Sequence, residues 1–171
     1  ITAGLPERKE FKSKIRYKGQ FLAYMRKNGE LDGAMSHLKF VNLNKEEKGH
    51  VLIGITDPGL RFAQIENPVI DNQNYERSLS EKEIDFYLSH ISSNVKSELN
   101  AIKWLLSKLK SGVDNREVIN EKLKNEYGSF WNASDSVINT QRAGLMARMS
   151  ELGLIDKEKE GISVKYLITK K

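Results

Sequence analysis

The chain of 171 residues carries 28 Lys and Arg against 23 Asp and Glu, a net charge of +5, and no cysteine. This composition excludes a disulfide framework and thiolate metal sites, and no apolar run approaches the ~20 residues that span a bilayer. No signal peptide is visible at the start. We therefore expect a cytoplasmic protein of one ordinary domain or two small ones, without a membrane partner.

The basic excess lies in the N-terminal part of the chain. Residues 1–70 contain 12 Lys and Arg against 8 Asp and Glu, whereas residues 112–171 contain 10 and 9. A cluster of cations within residues 8–18 includes Lys12, Lys14, Arg16 and Lys18. Such a cluster favours an anionic partner such as a phosphate backbone. A solvated helix face is the alternative interpretation.

Helices and one hairpin are predicted for the first half of the chain. The elements, in order, are a helix over 7–28, a helix over 30–40, a hairpin with a charged turn at 45–49 and a return strand at 50–55, a stop at Asp57-Pro58-Gly59, and a helix over 60–66. Apolar residues at helical spacing support the helices, and turn-forming residues mark their ends. Because the return strand is almost wholly apolar, we expect it to be buried.

One long helix is predicted for the middle of the chain. Ser80 and Glu83 match a capping box, in which each side chain bonds to the backbone amide of the other residue. Apolar residues then keep helical spacing, which predicts an unbroken helix over 80–110 unless Ser92-Ser93-Asn94 interrupts it. This apolar stripe fits either an intrachain core or a homodimer through the Ser80–Lys110 helix.

The last third of the chain predicts two further helices and a hairpin. The elements, in order, are a helix over 116–127 that Asp114 and Glu117 start and Gly128 stops, a loop over 129–133, a helix from Ser134 or Asp135 to Leu152, and strands over 155–159 and 162–168. Capping residues and glycines at the expected positions mark these boundaries.

Two segments resemble winged helix-turn-helix domains. In residues 95–169, Leu152-Gly-Leu-Ile155 leads into a charged hairpin that ends in Tyr166-Leu-Ile-Thr169. Residues 9–66 resemble a second, less regular copy, in which Thr56-Asp-Pro-Gly-Leu-Arg-Phe62 is similar to the exit from strand to helix in many such regulators. The motifs indicate this fold without indicating a particular family.

The expected fold class is mostly α with small β-hairpins (α+β). The resemblance implies two winged-helix subdomains joined by a long helix. We expect an N-terminal domain over 1–70, a linker and connecting helix over 71–111, and a C-terminal domain over 95–171.

Helical geometry assigns the two faces of the last helix. Ile138, Leu145, Met149 and Leu152 fall on one side and are expected to form core. The opposite side is rich in small residues, which would let a DNA backbone approach closely or would pack against another helix. Two arginines flank the apolar stripe, and their long side chains are expected to reach outward.

The resemblance implies that the outer face of the last helix enters the major groove, mostly through its N-terminal half. Glutamine can pair with adenine there and arginine with guanine. The side chains expected to contact DNA in the first half of the chain are Lys12, Lys14, Arg16, Lys18, Ser36, His37, Lys39, Lys45 and Lys48. Those in the second half are Asn139, Thr140, Gln141, Arg142, Arg148, Lys157, Lys159 and Lys165. We expect the first half to supply affinity and the last helix to supply any sequence reading.

The expected function is non-enzymatic binding of duplex DNA, as a transcriptional regulator or a DNA-recognition module, with no cofactor and no metal. His37, His50 and His90 lack the spacing of metal ligands. The sequence has neither a phosphate-cradling glycine loop nor a nucleophile elbow. Two alternatives stay open: a winged-helix scaffold for protein partners, and the target-recognition portion of a larger DNA-processing enzyme such as a restriction endonuclease.

Overall fold

The computed structural model describes residues 23–47, 50–131, 134–160 and 163–169. Within these ranges the chain is a mixed α+β structure of helices and small antiparallel two-stranded hairpins, as predicted. The helices are α1 Ala34–His37, α2 Asp57–Ala63, α3 Glu81–Asn94, α4 Lys96–Lys110, α5 Arg116–Trp131 and α6 Asp135–Glu151. The strands are β1 Tyr24–Met25, β2 Leu31–Asp32, β3 Val41–Glu47, β4 His50–Ile55, β5 Ile155–Glu160 and β6 Ser163–Ile168.

The chain divides into two compact units. The described residues as far as Ile65, together with Asp85–Val95, form the N-terminal unit. Glu66–Ile84 and the described residues from Lys96 onward form the C-terminal unit.

The N-terminal unit begins with extended backbone where helices were predicted. Strand β1 replaces the described end of the 7–28 helix, and residues 7–22 lie outside the described ranges. The predicted helix over 30–40 is wrong, because β2 and the single turn α1 occupy it. Gly33 separates the two with a φ of 104°, a conformation that glycine adopts without strain.

The hairpin formed by β3 and β4 is present, but its return strand is not buried. The cross-strand pairs of Val41 with Ile55 and of Leu43 with Ile53 place apolar side chains on one face. Ile53 and Ile55 are 45% and 56% exposed. The burial prediction is wrong because a strand reaches the core only when another layer covers it.

The Asp57-Pro58-Gly59 segment was predicted as a stop between elements, and this prediction is wrong. The segment forms the first turn of helix α2. Thr56 caps the helix, since its hydroxyl accepts a 3.2 Å hydrogen bond from the amide of Gly59. Proline is tolerated in this first turn because an amide there has no helical partner. A β-carbon on Gly59 would lie 2.1 Å from the carbonyl oxygen of Phe40, so the close approach requires glycine.

The core of the N-terminal unit is aromatic. The ring of Phe40 stacks on that of Phe62, with centroids 5.0 Å apart, and also contacts the ring of His90. His90 is buried, and its Nε2 lies 2.7 Å from the carbonyl oxygen of Leu38 while Asn94 lies 3.3 Å from its Nδ1. The tautomer that donates through Nε2 and accepts at Nδ1 satisfies both partners.

The capping box is confirmed, whereas the unbroken helix is not. The amide of Ser80 donates to the Glu83 carboxylate at 2.7 Å, and the Glu83 amide donates to the Ser80 hydroxyl at 3.2 Å. Helix α3 then ends at Asn94, so the helix over 80–110 is interrupted at Ser92-Ser93-Asn94, the alternative that the sequence left open. Short polar side chains favour such ends because they bond to nearby groups. The homodimer through Ser80–Lys110 stays a prediction.

The C-terminal unit follows the predicted order of three helices and a hairpin. Its largest correction concerns α5, which continues through Gly128 to Trp131 and so occupies part of the predicted loop. Asn115 caps this helix instead of Asp114, because its side-chain oxygen accepts from the amide of Glu117 at 2.8 Å. A helix is longer than propensity suggests when tertiary packing outweighs one unfavourable glycine.

The core of the C-terminal unit joins all three helices to the hairpin. The predicted core residues of α6 are confirmed, with Ile138, Leu145, Met149 and Leu152 all buried. Leu105 of α4 and Ile119 of α5 are fully buried, and Ile155 begins the hairpin within the same core. A backbone bridge between Asn115 and Lys165 attaches the α4–α5 connection to β6.

Candidate nucleic-acid interface

The N-terminal half of α6 presents a polar, exposed surface. Asn139, Thr140 and Gln141 are all exposed, and of these the helical faces had placed Thr140 on the outer side. The hydroxyl of Thr140 donates to the carbonyl of Ser136 at 2.9 Å.

A polar network ties the inner edge of this surface to α5. Asn120 donates from its side-chain amide to the Oδ1 of Asn139 at 2.8 Å and accepts from the Nε of Arg142 at 2.8 Å. The Nδ2 of Asn139 donates to the carbonyl of Asp135 at 2.9 Å. Sequence reasoning missed Asn120, because nothing in its local pattern indicates a partner 22 residues away.

The prediction that Arg142 reaches outward is wrong. Its side chain is buried, with 8% of the residue exposed. The bond to Asn120 offsets part of the cost of removing the guanidinium from water. Its charge also helps to lower the pKa of Glu117, after the contributions of the Glu117 amide and of Arg116.

Arg148 lies on the opposite flank and is partly exposed. Its Nε and Nη2 contact the two carboxylate oxygens of Glu98 at 2.6 and 3.1 Å. The Nε and Nη2 of Arg148 are therefore both hydrogen-bonded within the C-terminal unit. Release of Arg148 to a phosphate would break the pair with α4.

Small residues line the outer face of α6 beyond its polar half. Ala143 and Ala147 are exposed, and Gly144 is half-buried. A β-carbon on Gly144 would lie 3.3 Å from the Arg148 guanidinium. Ala143 and Ala147 carry only methyl groups on this face, and the exposed Glu151 lies at its C-terminal end.

The β5–β6 hairpin is balanced in charge. Lys157 is exposed and lies across from Tyr166, while Glu158 lies across from Lys165. Lys165 is half-buried. Lys159 belongs to β5, but its side chain lies outside the described residues. Among the described side chains of the hairpin, the exposed cation is Lys157. Its sequence neighbours Asp156 and Glu158 are carboxylates.

The basic residues predicted in the first half lie mostly outside the described ranges. Those outside, or with only their backbone described, are Lys12, Lys14, Arg16, Lys18, Lys45 and Lys48. Lys39 is exposed, the hydroxyl of Ser36 donates to the carbonyl of Leu31 at 3.3 Å, and His37 contacts Asp32. The structure therefore places Ser36 and His37 within an internal bonding network of the N-terminal unit.

Asp32 organises that network and was not predicted. Its carboxylate accepts from Tyr24, Arg26, Gly33 and His37, each at 2.6–2.8 Å. Burial alone would raise the pKa of this carboxylate, but the bonds that it accepts outweigh burial and hold the pKa of Asp32 well below its usual range. The same carboxylate raises the pKa of Tyr24. A lone Asp before Gly gives no signal of these partners, which lie up to eight residues away.

The described part of the chain contains neither a metal site nor a membrane-spanning helix. No three His, Asp or Glu side chains there come together as a metal site. Within those same ranges, every helix is too short or too polar to cross a bilayer. No known family, curated protein or solved structure matches this chain.

Proposed function

We propose that the C-terminal unit is a winged helix-turn-helix domain that binds double-stranded DNA, with α6 as the recognition helix and β5–β6 as the wing. The observation that carries the proposal is the bridge between Asn115 and Lys165. It anchors the hairpin to the segment that begins α5, while the shared core anchors it to α6. Helix and hairpin are thus held together on one rigid body, as a two-part contact with a duplex requires.

The exposed surface of α6 suits entry into the major groove. That groove admits one α-helix, and the small residues Ala143 and Ala147 let the helix approach closely. Thr140 and Gln141 supply hydrogen-bonding groups at its N-terminal half. Lys122 on α5 and Lys157 on β5 are exposed cations available for phosphates.

We restrict the proposal to one winged helix. A second copy over 9–66 would need two helices before its hairpin, and the described residues there contain β1, β2 and the single turn α1. The basic N-terminal part still contributes to affinity by general electrostatic attraction, which does not depend on fold. The proposed role is that of a transcriptional regulator or a DNA-recognition module.

Fluorescence anisotropy with a labelled duplex of about 20 base pairs tests the proposal. We expect binding in 50 mM salt that weakens about 100-fold at 200 mM, as the release of counterions from roughly four phosphates predicts. The variant Lys157→Glu should bind more weakly, whereas Lys82→Glu, outside α5, α6 and the hairpin, should change binding less. Absence of binding at micromolar protein in 50 mM salt would sink the proposal.

A different observation favours a protein partner for the N-terminal unit. The apolar face of the β3–β4 hairpin borders a cleft of about 600 Å³. The residues lining the cleft are Met25, Arg26, Lys27, Gly29, Leu43, Asn44 and Val51. Among the described side chains the lining combines apolar groups with two cations, Lys27 and Arg26, the second of which is paired with Asp32. An extended peptide that alternates acidic and apolar residues complements both properties.

Titration of a labelled peptide that alternates aspartate with valine tests this second function. We expect micromolar binding, loss of binding in the variant Val51→Glu, and no binding of the matched peptide that carries lysine for aspartate. Equal binding of the two peptides would contradict the charge argument. Dimerisation of the unliganded protein that Val51→Glu abolishes would instead assign the face to a second copy of the chain.

A further inference from the structure

Three side chains in the N-terminal half of α6 have the chemistry to distinguish bases. Asn139 and Gln141 carry amides, which can pair with both the N6 amino group and the N7 of adenine. Arg142 carries a guanidinium, which can pair with guanine in the same bidentate manner. The hydrogen bonds within the C-terminal unit decide which of the three is available to a duplex.

Asn139 is already committed at both ends of its amide. Its Oδ1 accepts from Asn120 and its Nδ2 donates to Asp135, at 2.8 and 2.9 Å. Pairing with adenine would have to use the remaining oxygen lone pair and the remaining amide hydrogen, in the orientation that these two bonds fix. Turning the side chain to another orientation would break these bonds and offset part of the energy of recognition.

Arg142 is excluded by burial. Only 8% of the residue is exposed, and its Nε donates to Asn120. Reaching a base edge would require the side chain to leave the core and would leave the oxygen of Asn120 without this donor. The Asn120 amide therefore engages two of the three candidate readers at once.

Gln141 stands apart from this network. Its side chain is exposed, and no described residue bonds to its amide. The neighbouring hydroxyls of Ser136 and Thr140 are also exposed, but a hydroxyl both donates and accepts and so discriminates poorly between bases. We infer that Gln141 is the specificity-determining side chain of α6 and that it selects adenine in the major groove, an inference that rests on the proposed DNA-binding function.

Selection from a pool of duplexes with randomised central positions tests the inference on the full chain. The wild-type protein should enrich adenine at one position by about 10-fold, the scale of one bidentate contact. Gln141→Ala should lose that enrichment while its thermal unfolding stays unchanged, because the side chain makes no internal bond. Gln141→Glu should shift the preference at the same position toward cytosine, whose amino group a carboxylate accepts.

Asn139→Ala is the matched control, since it removes a neighbouring amide that the network already occupies. Retention of the adenine preference in this variant supports the inference. Loss of the preference in Asn139→Ala but not in Gln141→Ala would overturn it, as would wild-type binding without any preference. Failure of the wild-type protein to bind any duplex would be a different result, because it would remove the proposed function itself.

Discussion

Replacing Arg142 with alanine is expected to lower the free energy of unfolding of the C-terminal unit by about 3 kcal/mol. The substitution empties the space of a large buried side chain and leaves the Oδ1 of Asn120 without its donor. Both effects destabilise the contact between α5 and α6. Denaturant unfolding, followed by hydrogen exchange of amides in these two helices, measures the loss.

Arg148→Ala is the control for this prediction. Arg148 is an arginine of the same helix, but its side chain is 44% exposed and its pair with Glu98 is worth less because solvent screens it. We expect a loss below about 1 kcal/mol. Equal losses in the two variants, or unchanged stability of Arg142→Ala, would contradict a structural role for Arg142. Arg142→Met separates the two contributions, since it retains apolar volume but not the hydrogen bond.

Replacing Asp32 with asparagine is expected to destabilise the N-terminal unit by about 2 kcal/mol at neutral pH. Asparagine has nearly the same shape but carries no charge for Arg26 and can offer only one accepting oxygen. The carboxylate accepts from four residues in the native protein. Hydrogen exchange of amides near β2 and α1 reports this loss locally.

The effect of Asp32 should depend on pH. Because the folded pKa of Asp32 is lowered, its charge stabilises the folded state fully above the unfolded pKa of about 3.9. That contribution is lost as the pH falls below about 4 toward the folded pKa. The stability difference between wild type and Asp32→Asn should therefore shrink as the pH falls below about 4. Asp85→Asn, an exposed aspartate of the same unit, should show neither effect.

Local signals predicted the C-terminal unit well. The helical spacing of α4 and α6, the glycine after α6 and the alternating hairpin are all encoded within a few residues of where they act. The capping box at Ser80 and Glu83 was equally local, and both of its bonds are present. Such features need no knowledge of distant partners, because capping and amphipathicity depend on neighbours three or four residues away.

Contacts between different elements account for the features that the sequence did not reveal. The region of β1, β2 and α1 depends on Asp32, which gathers donors from both sides of the turn. The exposure of β4 depends on whether another layer covers it, which its own apolar residues do not specify. Arg142 is buried and bonded to Asn120, whereas Arg148 is partly exposed and paired with Glu98. Both partners lie on other helices.

The candidate site was predicted as a surface but not as a set of bonds. Helical geometry placed Thr140 on the outer face, and Asn139 and Gln141 were predicted as further polar groups of the N-terminal half; all three are exposed. The prediction did not distinguish which of these side chains would contact a base. The distinction between an occupied amide at 139 and an available amide at 141 required the position of Asn120, which the sequence pattern does not contain.

Chemical-shift mapping of the isotopically labelled chain with a duplex in about 50 mM salt tests the central claim most directly. Binding through α6 and the wing predicts the largest changes at backbone amides of residues 136–147 and of β5, with smaller changes at core residues of α4. Changes confined to the N-terminal unit, or shifts that avoid α6 and the hairpin, would contradict the claim that the C-terminal unit is the recognition domain.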